Sequence, residues 1–447
     1  MFRLDSLLLT DLYQLNMLQA YEKSGFTQTA VFEFFVRKFP ARRGFLMAAG
    51  LAQVVDFLEN LHFTPDDIGY LRRSGRFEDA FLDHLAKFRF TGDVDALPEG
   101  TMFFPDEPVV RVIAPLPQAQ LVETRIINLV HFETLVASKA ARMVLVAPGK
   151  QLVDFGLRRA HGAEAGLLAA RASYLAGFAG TATTLAEPVF GLPVYGTMAH
   201  SFIQAHDSEK AAFLDFARAR PEGLILLIDT YDTEAAAAKV VALAPQLKRE
   251  GITLRGVRLD SGDLADHAVK VRRILDEGGL KDVIIFASGG LDEDELLAIE
   301  GKHAPIDGYG IGTSLVTSSD VPALDCAYKL QEFAGVARRK RSEGKATWPG
   351  RKQVWRQYGA DGTMIGDTLT IEGDLQTGTP LLKLAMRGGR RVGDLPSLQE
   401  SRRHAAQELG RLPAALRRLE RAPYPVEVAP ALRNLAAECD RRVAGLD

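Results

Sequence analysis

Between about residue 150 and residue 330, short apolar runs that end in small or charged residues alternate with helical patterns. VYGTMAH is followed by SEKAAFLDFARARP, GLILLIDTYDT by EAAAAKVVALAPQLKREG, GVRLDSGD by LADHAVKVRRILDEGG and DVIIFASGG by LDEDELLAIEG, and IDGYGIGT closes the series. Parallel strands covered on both faces read as continuous apolar runs, and strands alternating with helices of this length build βα units. The fold class read from this pattern is α/β, an irregular TIM-like α/β barrel over residues 141–335. An open doubly wound sheet produces the same local pattern and is the alternative. In a barrel, chemistry gathers at the carboxyl ends of the strands. Ser261, Ser288 and Gly312 fall at successive strand ends, and His200, Asp229, Asp260 and Gly290 then face one mouth.

The flanking segments read differently. Residues 1–140 form an α+β domain: TDLYQLNMLQAYEKSG has Thr10 or Asp11 as N-cap and Gly25 as stop, AVFEFFVRKFP alternates like a strand, and LVETRIINLVHFETLVASKAARM is a long helix. Residues 336–447 hold a small β meander around WPGRKQVWRQYGADGTMIGDTLTIEG and two helical segments, a C-terminal part that packs with the N-terminal one as a split domain. A net charge of −3 argues against a nucleic-acid binder, which carries a basic excess. Two distant cysteines, Cys326 and Cys439, make neither a disulfide framework nor a four-cysteine zinc site. The apolar run in MFRLDSLLLTDLYQLN is too short for a signal-peptide core, and no run approaches the roughly 18 apolar residues of a membrane span. The expected location is the cytoplasm, with no membrane partner.

Several stretches carry chemistry. SGG (288–290) and GIGT (310–313) are glycine-rich tips on the last two strands, where backbone amides approach an anion closely; plain tight turns are the alternative. RLDSGD (258–263) offers Arg258 to a phosphate, and Asp260 and Asp263 to sugar hydroxyls or hydrated magnesium, or else makes a surface turn. FGLRRAHG (155–162) sets Phe155 beside Arg158 and Arg159, an aromatic face and a guanidinium that suit a flat anionic ring, or simply a surface pair. His200 and His206 are six residues apart, which fits neither one helix face nor a zinc finger. His200 alone, at a strand tip, is a packed ring or an acid, base or nucleophile, with Asp229 placed to orient it. Lys139 and the basic run 338–341 read as solvated charge.

Taken in order, TDLYQLNM, FEFFVRKFP, VETRIINL, VDFGLRRAHG, SYLAGFAGT, YGTMAHSF, IDTYDT, VRLDSGD, FASGGLDE and IDGYGIGTS resemble the nicotinate phosphoribosyltransferase family from about residue 9 to 340. The resemblance implies that nicotinate is joined to 5-phosphoribosyl 1-pyrophosphate, giving nicotinate mononucleotide and pyrophosphate in NAD biosynthesis, with ATP hydrolysis coupled to the reaction. It implies that His200 is phosphorylated from ATP with Asp229 beside it, and that His206 is structural. It further implies that Phe155 stacks on one face of the pyridine ring while Tyr13 of a neighbouring subunit covers the other, in a head-to-tail homodimer with shared sites. Arg158 would hold the ring carboxylate or a phosphate. Arg258 and Asp260 would bind phosphoribosyl pyrophosphate with Mg2+, and Gly289, Gly290, Gly312 and Thr313 would cradle the 5′-phosphate.

Ala182, in FAGTAT, occupies the position comparable to an aspartate that accepts from the amide in the related nicotinamide-using enzyme, so alanine favours the acid. A nicotinamide- or quinolinate-using phosphoribosyltransferase and a non-catalytic nucleotide sensor are the rival readings. The cysteine-rich zinc module of archaeal relatives has no counterpart here.

Overall fold

The protein is described by a computed structural model over residues 6–444. The first five residues of the opening stretch read above lie outside that range. Two compact units result, one made of Lys139–Pro322 and the other of Met1–Ser138 with Ala323–Asp447.

The unit Lys139–Pro322 carries six strands: β1 (Gln151–Asp154), β2 (Gly180–Thr181), β3 (Leu224–Leu227), β4 (Leu254–Leu259), β5 (Ile284–Ser288) and β6 (Gly308–Ile311). Every pairing among them is parallel, in the order β2-β1-β6-β5-β4-β3. Chain neighbours stay sheet neighbours and β6 returns to β1. This circular order belongs to a barrel and rules out the doubly wound alternative. Val194 adds a single parallel bridge to Thr181, after which no pairing leads on to β3 among the described residues. The ring is therefore open along one seam.

The seam has a chemical cause. Pro193 lacks the N–H that a continued ladder needs and Gly196 weakens any strand, so VYGTMAH makes one bridge and no strand. His200, expected at a strand tip, instead opens the short helix His200–Gln204. A regular barrel interior is filled by side chains. Here a cavity of about 320 Å³ remains inside the sheet, walled by Val153, Phe155, Val194, Ile225, Ile284 and Phe286.

Three βα turns end on an aspartate N-cap. Asp232, Asp263 and Asp292 accept from the first backbone amides of helices Thr233–Arg249, Leu264–Glu277 and Glu293–Gly301. Each cap satisfies amides that the helix leaves unpaired, an effect of about 1 kcal/mol. The first two helices bury Ala236, Val240 and Leu243, and Ala268, Val271 and Leu275, at helical spacing.

The other unit is built on a seven-stranded antiparallel sheet in which Thr29–Val36 lies between Cys326–Phe333 and Pro108–Pro115. Val31, Phe32, Phe34, Phe35 and Val36 are all buried, so this strand is covered on both faces rather than half-exposed. Its one charge, Glu33, is fully buried and meets the Lys352 ammonium at 2.6 Å. Residues 323–335, placed at the end of the barrel by the sequence pattern, supply the strand Cys326–Phe333 to this sheet. Its register against Thr29–Val36, which no local pattern encodes, decides the matter.

Lys352–Tyr358 and Met364–Ile371 form the antiparallel hairpin expected of the meander, within a four-stranded sheet. Arg356 is wholly buried there. It forks onto Asp367 at 2.6 and 3.0 Å and reaches Glu408 at 3.1 Å.

A candidate active site at the barrel mouth

At the carboxyl end of β1, Asp154 is buried and accepts from the Gly156 amide at 2.8 Å and the Thr181 hydroxyl at 2.7 Å. These bonds tie the tip of β1 to the tip of β2, where the Ala182 amide also donates to the Asp154 carbonyl. Burial pushes the Asp154 carboxyl up to about 6, against the lowering effect of both bonds. The chain then presents Phe155, followed by the one-turn helix Leu157–Arg159 with both arginines exposed.

The Phe155 ring has a fixed seat. It lies 5.9 Å from the Phe286 ring, and the Arg258 guanidinium sits 6.0 Å from its centroid. Gly310 makes the seat possible, since a Cβ there would come within 2.4 Å of the ring. Arg258 donates to the Thr197 hydroxyl at 2.7 Å and the Met198 carbonyl at 3.2 Å, and lies 3.6 Å from Asp260. Burial draws its pKa below the ordinary guanidinium value.

Asp260 and Asp229 stand at the tips of β4 and β3. Asp229 Oδ2 accepts from the Asp260 amide at 3.0 Å and the Ser261 hydroxyl at 2.5 Å, and Ser288 donates its hydroxyl to Asp260. His200 completes the group: Nε2 lies 3.6 Å from Asp260 and 4.0 Å from Asp229, and Nδ1 lies 3.2 Å from the Thr230 hydroxyl. Two carboxylates on the Nε2 side favour the tautomer protonated there, which leaves the lone pair on Nδ1; the tautomer follows from this electrostatic argument.

The two glycine tips meet the same space. Phe155, Arg158, Asp260, Gly289, Gly290, Gly312 and Thr313 line one cavity of about 370 Å³, together with Arg159, Ser288 and Ser314. Gly289 has φ +96°, and a Cβ on it would come within 2.1 Å of the Asp260 carbonyl oxygen, so only glycine fits. The cavity thus combines an aromatic wall, two guanidinium groups and bare backbone amides, a setting for a phosphorylated, partly aromatic ligand.

Of the residues singled out in the sequence, Asp263, His206 and Lys139 do not line this cavity, nor do Asp229, Arg258 and Ala182, on the neighbouring strand tips, or His200, on its short helix. Asp263 spends its carboxylate on the amides of Ala265 and Asp266 and lies 3.4 Å from Lys302. His206 bonds the Phe202 carbonyl through Nδ1 at 2.7 Å, and its ring packs 4.7 Å from that of Phe202. Tyr13 belongs to the other unit, where it is 46% exposed and within 3.3 Å of Glu123. Burial, then the Glu123 charge, pushes its phenol up to about 12. Lys139, read as solvated, is in fact buried. Thr230 and Asp154 contribute side chains that the sequence reading did not single out, whereas Ser261 and Ser288, noted there as strand ends, lie inside RLDSGD and SGG.

Among the described residues, no group of three or more His, Cys, Asp or Glu side chains could hold a metal ion by itself. The donors do suit a magnesium ion, which takes one or two protein carboxylates and the rest from phosphates and water. Asp260 lines the cavity, and the buried Asp229 Oδ1 has no hydrogen-bond partner.

Fold and site together define an α/β-barrel protein whose open mouth sets two glycine tips and a pair of guanidinium groups beside a histidine–carboxylate group. The chain matches the nicotinate phosphoribosyltransferase (NAPRTase) N-terminal domain over residues 8–131, the NAPRTase family over residues 150–348 and the corresponding C-terminal domain over residues 374–436. It is 51% identical over 423 residues to nicotinate phosphoribosyltransferase pncB2 of Mycobacterium tuberculosis, covering 94% of this chain and 91% of that protein. Nicotinate phosphoribosyltransferase of Bacillus subtilis is 39% identical over 364 residues, 79% of this chain and 74% of that one. The crystal structure of human nicotinic acid phosphoribosyltransferase superimposes with a TM-score of 0.86 at 31% identity, covering 96% and 99% of the two chains. This chain belongs to the nicotinate phosphoribosyltransferase family.

Proposed function

We propose that the protein joins nicotinate to 5-phosphoribosyl 1-pyrophosphate, forming nicotinate mononucleotide and pyrophosphate in NAD biosynthesis, with ATP hydrolysis coupled through phosphorylation of His200. The observation that carries this reading is the single cavity in which the Phe155 ring and Arg158 adjoin both glycine tips and Asp260. It matches the parts of one ligand set: a flat acid, a ribose and a 5′-phosphate.

Each residue then has a task. Phe155 offers a face for the pyridine ring, and Arg158 neutralises its carboxylate. Gly289, Gly290, Gly312 and Thr313 take the 5′-phosphate on backbone amides, and Asp260 takes ribose hydroxyls. Departure of pyrophosphate from the ribose C1 builds positive charge on the sugar, so the protein's work is to fix the ring nitrogen in line and to stabilise the leaving group with Arg258. No general base is required, because the pyridine nitrogen carries no proton. Asp260 and Asp229 would hold magnesium, which supplies charge neutralisation to the phosphates when bound.

In the ATP-dependent step, His200 Nδ1 attacks the γ-phosphorus, the N–P bond forms and the bond to the β-phosphate oxygen breaks, releasing ADP. The Nε2 proton faces Asp229 and Asp260, which compensate the charge on the ring. Tyr13 completes the pyridine site from a second copy in a homodimer. Among the described residues, no helix is long and apolar enough to cross a membrane.

The test is incubation with γ-phosphate-labelled ATP. Acid-labile, base-stable label on His200, absent from His200→Ala, is expected. Label on another residue, or none while ATP still stimulates mononucleotide formation, contradicts the phosphohistidine.

A further inference from the structure

We infer that Lys139 is the positioning residue of the phosphate cradle, a buried cation that sets the separation of the two glycine tips. The inference rests on the reading of those tips as the 5′-phosphate site. Lys139 lies on the long helix Glu123–Val146, and its side chain is only 1% exposed. Its ammonium bonds Glu293 at 2.5 Å and Asp320 at 2.7 Å.

These two carboxylates close the two tips. Glu293 is the first residue of the helix that follows Gly289 and Gly290, and Asp320 ends the turn that follows Gly312 and Thr313. One ammonium therefore spans both segments from behind. Arg142, one turn further along the same helix, bonds the second Glu293 oxygen at 3.2 Å. In front, Ser314 donates its hydroxyl to the Leu291 carbonyl, so the tips are joined on both sides of the cavity wall.

Ser314 belongs to the cavity lining, whereas Lys139 itself, like Arg142, Glu293 and Asp320, is absent from it. Its effect on a ligand is transmitted by where it holds the backbone amides. A phosphate bound by amides from two separate segments is sensitive to their spacing, because every donor must meet it within hydrogen-bond distance at once. Removing the ammonium breaks the bridge that Glu293 and Asp320 share; Glu293 keeps Arg142, but the two carboxylates then repel across the gap it filled, and the spacing of the tips is no longer fixed.

The experiment compares Lys139→Met, Lys139→Arg, Asp320→Asn and Gly290→Ala with the full-length protein, measuring KM for phosphoribosyl pyrophosphate and for nicotinate, kcat, and direct binding of phosphoribosyl pyrophosphate by calorimetry. Lys139→Met should raise KM and Kd for phosphoribosyl pyrophosphate about tenfold or more, with nicotinate KM and saturating kcat close to the parent values. Lys139→Arg should restore most of the loss, and Asp320→Asn should show a smaller rise of the same kind. A general structural defect would instead lower kcat through the folded fraction and leave both KM values alone, and that pattern overturns the inference.

Gly290→Ala separates the two layers, since its φ of +68° makes alanine strained within the cradle itself. If Gly290→Ala weakens phosphoribosyl pyrophosphate binding and the folded Lys139→Met does not, the positioning role is wrong while the phosphate site stands. If neither does, the phosphate site is misassigned. Should Lys139→Met fail to fold, Asp320→Asn decides: unchanged phosphoribosyl pyrophosphate affinity refutes the role.

Discussion

Replacing Gly310 by alanine should damage the proposed pyridine site while leaving the fold in place. The new Cβ would come within 2.4 and 2.5 Å of two Phe155 ring carbons, and 3.1 Å of the Phe286 ring. Carbon atoms settle at about 3.5 to 4.0 Å, so the Phe155 ring must retreat by roughly 1 Å. It has somewhere to go, because Phe155 also borders the 320 Å³ cavity inside the barrel. The destabilisation should stay near the ordinary overpacking range of about 1 to 3 kcal/mol.

The functional loss should be larger in proportion. An aromatic stack is worth about 0.5 to 1.5 kcal/mol beyond area burial, roughly two- to tenfold in affinity. Misplacement by an ångström adds to this and can bring the loss in kcat/KM to about 100-fold. Steady-state kinetics with each substrate varied in turn would read it, with Gly301→Ala as the control because a Cβ there meets nothing within 4 Å. A folded Gly310→Ala protein with the parent KM for nicotinate, or with a defect confined to phosphoribosyl pyrophosphate, would refute Phe155 as the ring's platform.

Three further outcomes follow from named residues. Asp154, with a folded pKa of about 6 against 3.8 for the ordinary carboxyl, binds its proton more tightly when folded, so its contribution is fully present below pH 4 and is lost as pH rises through about 6. The loss is on the order of 3 kcal/mol, and urea midpoints between pH 4 and 7 should fall less in Asp154→Asn than in the parent; equal pH slopes would count against it. Arg356→Met strands Asp367 and Glu408 in the interior and should cost about 3 to 5 kcal/mol in denaturant unfolding; a cost under about 1 kcal/mol would mean the site is hydrated. Ala182→Asp would set a carboxylate against that of nicotinate and should shift preference toward nicotinamide in competition assays; retained preference for the acid in a folded variant would refute this role of Ala182.

How far the chain could be read from its residues varies with the range of the forces involved. The βα units were legible because apolar runs, aspartate caps and glycine tips are local, and Asp232, Asp263 and Asp292 mark helix starts directly. Asp263 shows the limit of the same logic, since one carboxylate type serves both caps and ligands, and only the fold assigns it to the amides of Ala265 and Asp266. The open seam depended on Pro193 and Gly196 within a run that otherwise looks like a strand. Lys139 could not be read at all, because its partners Glu293 and Asp320 lie more than 150 residues away in the chain. The same is true of Cys326–Phe333, whose place beside Thr29–Val36 is a matter of register between distant segments.

The central claim is the reaction itself. Pyrophosphate release by the purified protein, with phosphoribosyl pyrophosphate, magnesium and ATP, should be followed with nicotinate, nicotinamide and quinolinate in parallel. The account predicts release with nicotinate alone, increased by ATP; release with none of the three, or with nicotinamide as readily as with nicotinate, would contradict it.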